Sequence, residues 1–248
     1  MKHGRLPADL LPLQSGTGNI ANAVLDGLNE SRFGGLQVFT EVTQEAMLHM
    51  FDSGKLDFAS STCMALQDWN HFYGNFEGYK KKCVLRQQSV SNSPEIIRRL
   101  GVIAMNTPVE VDIYGQANSS HLFGSKMVNG IGGSGDFLRN GYITILHCPS
   151  VRKSKNDKFG ISSIVPLCSH VDHTEHDIDV IVTEQGLADL RGLDPIKRAN
   201  LIIQNCCHPS YRSQIKEYLN LAKKECYAIG AGHEPQILSK AFKMHTNL

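Results

Sequence analysis

The chain has 248 residues, 41% of them hydrophobic and 20% charged, enough to bury a sizeable core as one large domain or two small ones, with one domain the favoured reading. Its 25 Lys and Arg against 24 Asp and Glu leave a net charge of +1, which gives no general electrostatic case for nucleic acid or an acidic membrane; an anionic ligand must be caught locally. No apolar run approaches the roughly 18–20 residues of a membrane span, and the amino-terminal stretch holds neither a signal-peptide core nor an arginine-rich presequence. The 7 cysteines are odd in number, scattered and without a C-x-x-C pair, the pattern of reduced thiols in a reducing compartment.

Residues 1–13, with a basic start and with Pro7 and Pro12, read as a connection leading into a domain spanning 14–248. From Leu13 onward, apolar runs alternate with amphipathic ones. IANAVLDGL predicts a helix, LQVFTEV a strand, QEAMLHMFDSG a helix closed by Gly54, and KLDFASS a strand. PEIIRRLG predicts a short helix, VIAMNTPVEVDIYGQ two strands, and GYITILHC a buried strand. PSVRKSKNDKFG, at 149–160, is basic and polar and predicts an exposed loop. DIDVIVTE predicts a strand, GLADLRG a turn of helix, and DPIKRANLIIQNC and PSYRSQIKEYLNLAKKE two closing helices. The alternation is that of an α/β sheet.

Four segments could carry chemistry. GTGNIANAV (16–24) sets two glycines before a helix, where backbone N–H groups can approach a phosphate; with Ala21 in place of the third glycine it is no nucleotide fingerprint, and a tight turn that binds nothing is the competing reading. Glu41, in VFTEVTQEAML, falls at the carboxyl end of a strand, where open α/β sheets place ligand crevices, and could attack an activated carbonyl; on these residues alone, acidic charges favouring a helix N-terminus are the favoured reading of Glu41 and Glu45. NGIGGSGDF (129–137) packs four glycines between Gly130 and Gly135, either an anion-binding or oxyanion loop or a flexible surface one. SHVDHTEHDID (169–179) spaces His170, His173 and His176 by three beside Asp172, Glu175 and Asp177; as zinc ligands they would need a shaped loop, and hydrogen-bonded structural histidines are the favoured reading, so no metal is expected. Lys153, Lys155 and Lys158 could neutralise phosphates or simply be solvated.

Taken together, GRLPADLLPLQSGTGNIANAV, FTEVTQEAML, SGKLDFAS, MNTPVEVDIYGQANSSH, NGIGGSGDFLRN and HVDHTEHDIDVIVTEQGLADLRGL, in this order, resemble the acetyl-CoA hydrolase/acetate (succinate) CoA-transferase family from about Gly4 to Ala222. The HCPS segment and the longer lysine-bearing loop are most similar to its fungal and mitochondrial branch. The resemblance implies a CoA-transferase (NagB/RpiA-like) fold, an open, mostly parallel sheet with flanking helices. It makes Glu41 the covalent nucleophile, with Gly135 beside it and the Gly133–Gly135 backbone as oxyanion donors. It places coenzyme A, a substrate and not a permanently bound cofactor, against Gln14, Ser15, Gly16, Thr17, Gly18, Val111, Ile131, Gly135 and a loop lysine, Lys155 or Lys158. Glu184 matches a family glutamate near the coenzyme without an assigned role. Acyl-CoA:carboxylate transfer through a glutamyl-CoA thioester is the first expectation, with acetate and succinate as carboxylates. Hydrolysis on the same site, or a CoA-binding half inactive alone, are the alternatives. Because family members run to about twice this length, the chain corresponds to their carboxyl-terminal half, with an amino-terminal domain or partner subunit completing it. A homo-oligomer in the mitochondrial matrix or cytoplasm, contacting neither nucleic acid nor membrane, is the remaining expectation.

Overall fold

The computed structural model describes Leu6, Leu10, 12–154 and 158–245. Packing groups the chain into two compact units, the first covering 1–106 and 133–144 and the second 107–132 and 145–248.

The first unit is built from strand–helix–strand steps. β1 (Leu13–Ser15) leads to α1 (Asn19–Asn29), β2 (Leu36–Phe39), the short β3 (Val42–Gln44) and α2 (Glu45–Asp52). β4 (Leu56–Ser61), β5 (Cys63–Ala65), α3 (Trp69–Gly74), α4 (Phe76–Tyr79), β6 (Cys83–Leu85), α5 (Gln88–Ser91), α6 (Pro94–Leu100) and β7 (Ile103–Asn106) follow, and α7 (Ser134–Asn140) returns to this unit from further along the chain. The sheet order is β7-β1-β2-β4-β6, and every pairing is parallel. Strands covered on both faces need continuous apolar runs, and β7 is buried at all four positions. α1 seals one stretch with Ala21 and Leu25, four apart on one face, and α2 with Ala46, Met47, Leu48, Met50 and Phe51.

The chain leaves β1 toward β2, β4 and β6, then crosses back to place β7 on the other side of β1. That reversal is a topological switch point, where open α/β sheets form a crevice beyond the carboxyl ends of their strands. Gly16 follows β1 there and Glu41 lies just past the end of β2.

In the second unit, β8 (Glu110–Asp112) pairs antiparallel with β9 (Ala117–Asn118) and parallel with β15 (Ile164–Val165). Asp112 Oδ1 accepts the backbone N–H groups of Tyr114, Gly115 and Gln116, closing the β8–β9 turn, and burial pushes this carboxyl up to about 7. β10 (His121–Leu122) with β11 (Lys126–Met127), and β13 (Val151–Arg152) with β14 (Ile161–Ser162), are antiparallel pairs. The last three residues of β12 (Ile143–His147) pair parallel with β16 (Val180–Thr183), which turns back antiparallel as β17 (Gly186–Asp189). α8 (Pro195–Asn205), capped by Asp194, packs on β17, and α9 (Pro209–Ala228) and α10 (Leu238–Ala241) follow.

The α/β class and the open, mostly parallel sheet are as expected. GLADLRG is not a helical turn. Its Leu and Ala favour helix intrinsically, yet the Thr183–Gly186 pair closes a hairpin in which cross-strand pairing overrides that preference. Between 62 and 93, for which the sequence pattern offers no element, the structure forms β5, α3, α4, β6 and α5. All seven cysteines are free, and burial pushes Cys148, Cys206 and Cys207 up to about 12. Among the described residues no helix is long and apolar enough to cross a membrane.

His147 is buried on β12 with Nε2 unpartnered, and burial holds its pKa down at about 4 against an ordinary 6.5. Below pH 6.5 the unfolded chain takes up a proton that the folded chain refuses until about pH 4. Stability present above 6.5 is therefore lost as pH falls through that window, by up to about 3 kcal/mol. Urea unfolding of His147→Leu is expected to lose markedly less stability between pH 6.5 and 4 than the parent; equal losses would place the acid sensitivity elsewhere.

Candidate active site around Glu41

Glu41 occupies the break between β2 and β3. Its backbone carbonyl accepts the N–H groups of Thr62 and Cys63 at 2.8 and 3.3 Å, fixing it beyond the end of β4. Its flanking residues tie it to the turn after β1: Thr40 Oγ1 donates to the Ser15 carbonyl at 3.2 Å, and Gln44 Nε2 donates to the Gly16 carbonyl at 2.7 Å.

The carboxylate meets the glycine-rich segment directly. Gly133 N–H donates to Glu41 Oε2 at 2.6 Å, and Gln88 Nε2 lies 3.4 Å from Oε1. A Cβ on Gly133 would stand 2.4 Å from both Glu41 Oε2 and Asn92 Nδ2, so only glycine lets the three groups meet. Asn92 Nδ2 donates to Asp136 Oδ2 at 3.1 Å, while Asn92 Oδ1 is buried without a partner. The glutamate is thus held by one short amide bond at the head of α7, in a setting of amide side chains.

The expected coenzyme residues divide between the two units. In the first, Gln14 is 3% exposed and fully engaged: Oε1 accepts from Met105 N–H and Asn106 Nδ2, and Nε2 donates to Asn106 Oδ1. It clamps β1 to β7. Ser15 is likewise buried, with Oγ donating to the Gly16 carbonyl at 3.1 Å. Thr17 and Gly18 are exposed, and Gly18 takes φ +113° at the N-cap of α1, with no side chain capping the helix. Gly135 stands in the first turn of α7, two residues past the amide that meets Glu41. In the second unit, Val111 is 0% exposed on β8 with its N–H donated to the Ser163 carbonyl, whereas Ile131 is 45% exposed. Lys158 is exposed, its Nζ 5.6 Å from the Phe159 ring centroid. Lys155 lies outside the described residues.

Glu184, also in the second unit, accepts Ser150 N–H at 2.8 Å and the Ser150 hydroxyl, plus Gln185 Nε2 at 3.1 Å. Burial opposes its ionisation, but those hydrogen bonds outweigh it and hold the carboxyl at about 2. The three spaced histidines go separate ways. The His170 ring lies 3.9 Å from that of His121 and its Nε2 3.2 Å from Asp172; His173 is buried and exchanges backbone bonds with Ala117; His176 pairs with Glu175 at 3.0 Å. Asp172 gives the segment its structural role, accepting the N–H groups of Ser119 and Ser120.

Gln88 and Asn92 carry no distinguishing signal in the sequence, whereas Asp136 lies within the glycine-rich segment 129–137. The first two belong to QSVSNS, an ordinary polar string, and nothing short of the fold brings them to Glu41 and Gly133.

Residues 69–219 match the model of the acetyl-CoA hydrolase/transferase C-terminal domain, and the chain belongs to that family. It is 58% identical to an acetyl-CoA hydrolase of Neurospora crassa, over 99% of this chain and 47% of that protein. It is 55% identical to an acetyl-CoA hydrolase of Saccharomyces cerevisiae, over 100% of this chain and 48% of that protein. The chain spans about half the length of these relatives. Among solved structures it resembles RipA from Yersinia pestis, with a TM-score of 0.73 at 25% identity over 91% of this chain and 51% of that one. The fold is also that of a 4-hydroxybutyrate CoA-transferase from Porphyromonas gingivalis, with a TM-score of 0.69 at 23% identity over 89% and 53% of the two chains.

Hydrogen bonds to charged acceptors contribute about 1.5–3 kcal/mol each. Glu41→Ala is therefore expected to speed exchange of the Gly133 amide hydrogen by about tenfold or more, read by mass spectrometry of the peptide containing it. Unchanged protection would show that Glu41 does not hold that amide.

Proposed function

We propose that the chain is the coenzyme A-handling half of an acyl-CoA-processing enzyme in which Glu41 is the nucleophile. The observation that carries this is the Gly133 N–H on Glu41 Oε2 at 2.6 Å, in a chain whose family is named for acetyl-CoA hydrolysis and transfer. The names of its relatives favour hydrolysis of acetyl-CoA over transfer to a carboxylate, which reverses the order the sequence alone suggests. CoA transfer stands as the second reading, favoured by the fold shared with a CoA-transferase.

In this reading a Glu41 oxygen attacks the acyl carbonyl and the C–S bond breaks, giving an acyl-glutamyl anhydride and CoA thiolate. The thiolate attacks the glutamyl carbonyl, releasing the acyl group as a free carboxylate and leaving a glutamyl-CoA thioester. Water then attacks that thioester, restoring the Glu41 carboxylate and releasing CoA with a proton. With a carboxylate acceptor, the first two steps instead run in reverse and release a new acyl-CoA. Gly133 N–H already points at Oε2, so when thiolate or water attacks the glutamyl carbon it can meet the negative charge that grows on that oxygen, the other oxygen being the one bonded to the acyl group; one such donor is worth roughly 3 kcal/mol of barrier.

In the Gly16–Gly18 turn the exposed Thr17 and Gly18 would offer their backbone N–H groups to the coenzyme's phosphates, the Gly16 N–H being donated to the Met105 carbonyl, while Gln14 and Ser15 keep the turn in shape from beneath. Val111, Ile131, Gly135 and a loop lysine are the further contacts proposed. The other half of the relatives' length would complete the acyl pocket.

Incubation with acetyl-CoA followed by borohydride, which reduces a glutamyl thioester but spares a carboxylate, is expected to leave a mass change mapping to Glu41. CoA binding without any such change would make this a binding half that needs its partner. In an active preparation Glu41→Ala is expected to retain less than about a tenth of turnover while sparing CoA affinity, since each 1.4 kcal/mol is about tenfold. Added succinate separates the readings: only acetate accumulates under hydrolysis, whereas succinyl-CoA appears under transfer. Lys155→Ala and Lys158→Ala are expected to weaken CoA binding, and more at low salt than at high salt, because screening reduces phosphate attraction. Equal weakening at both would argue against a charge contact.

A further inference from the structure

One turn beyond the start of α2 the first unit gathers a second set of donors, independent of Glu41. Glu45 and His49 stand four apart on α2, and His71 comes from α3; each offers a ligand atom within 4.8 Å of the other two. Such i, i+4 pairs share a helix face.

The surrounding hydrogen bonds orient each donor. Glu45 Oε2 is occupied by the backbone N–H groups of Gln67 and Asp68, at 2.9 and 3.3 Å, which leaves Oε1 toward His71. His71 Nε2 lies 2.9 Å from Asp52 Oδ2 and 3.2 Å from the Tyr79 hydroxyl, which donates its own hydrogen to Asp52 Oδ1 at 2.7 Å. A carboxylate and a hydroxyl whose hydrogen is already committed can only accept, so Nε2 carries the ring hydrogen. In the ring form that can bind a metal, Nδ1 then presents its lone pair to Glu45 Oε1, 3.8 Å away. That gap is too long for a hydrogen bond. A carboxylate fixing the far nitrogen of a histidine while the near one faces other donors is the outer arrangement found around metal-bound imidazoles.

We propose that Glu45 Oε1, His49 and His71 Nδ1 bind one divalent transition-metal ion of the zinc type, with Asp52 as the orienting carboxylate and water in the fourth position. Two imidazoles and one carboxylate suit zinc better than magnesium or calcium, which favour all-oxygen sets. Tetrahedral bonds of about 2.0–2.1 Å put ligand atoms about 3.3 Å apart, so binding draws this set inward by about 1 Å, chiefly through the exposed His49 ring. The ion cross-links α2 to the segment carrying α3.

The test uses the whole chain, stripped with a chelator and titrated with zinc against a chromophoric indicator, then with cobalt followed by visible absorption. One equivalent of zinc is expected, with a rise in Tm and the intense cobalt bands of a four- or five-coordinate site. His49→Ala, at an exposed position, and His71→Ala are each expected to weaken zinc binding at least about tenfold, and Asp52→Asn by about 10–100-fold; His176→Ala is expected to change nothing. Absence of saturable binding, cobalt spectra of a purely octahedral ion, or affinity that survives His49→Ala in a folded protein would each overturn the site.

Discussion

The close approach of Gly133 to Glu41 is the constraint on which the rest of the candidate site depends. A Cβ on Gly133 would stand 2.4 Å from the Glu41 carboxylate oxygen, so a side chain there would push the carboxylate off its amide. The amide of Asn92 presses on the same point from another direction, at a distance a Cβ would violate equally. One missing methyl group thus lets β2, α5 and α7 converge, and each element brings a different polar group. A donor built into the backbone cannot rotate away, so its dipole is set before any substrate arrives, and that preorganisation makes such donors effective.

The carboxyl ends of β1 and β7 solve a different problem. Parallel strands buried on both faces call for apolar side chains, yet Gln14, Ser15 and Asn106 sit there with almost no exposure. Burying such groups is tolerable only if they satisfy one another. Gln14 does this by spending both ends of its amide on Asn106 and on the Met105 backbone, so that it acts as a cross-strand clamp. The clamp and the Thr40 and Gln44 bonds to the Ser15 and Gly16 carbonyls give the following turn a fixed exit. A stretch of sequence that violates the rule for its own strand, and is then fully repaired by neighbours, marks the place where local stability has been subordinated to the shape of a crevice.

How much of this was legible follows from the range over which each signal acts. The helices of α1, α2, α6, α8 and α9 announce themselves through short-range periodicity and punctuation: Gly54 and Gly101 end two of them in left-handed conformations, and Pro195 and Pro209 begin two others. Glu41 stood out because strand ends in an α/β sheet are special places, and the glycine run stood out because no ordinary turn needs four. That the two segments meet, and through Gly133, involves a separation of 92 residues and no local signal at all. Separations of 47 and 44 residues likewise hide the contacts of Gln88 with Glu41 and of Asn92 with Asp136. β17 is hidden for the complementary reason, since Leu and Ala carry a helical preference and the two-residue turn before them lacks the Asn-Gly or Asp-Gly that would flag a hairpin.

Gln14 and Ser15 also show why a motif can be right about place and uninformative about contact. The resemblance sets both beside the coenzyme, and the structure puts them under the turn with their polar atoms already engaged. A side chain buried beneath the turn does not face a phosphate, but it can decide where the Thr17 and Gly18 N–H groups point. In the proposed reading, selectivity for an extended, multiply charged ligand would reside in main chain that no substitution reads directly, while the side chains that substitution does affect act one step removed. The same logic holds for Glu41 in the proposed reaction. Its carboxylate would supply the bond-forming oxygen, while its orientation comes from a peptide amide, two carbonyls and a glycine.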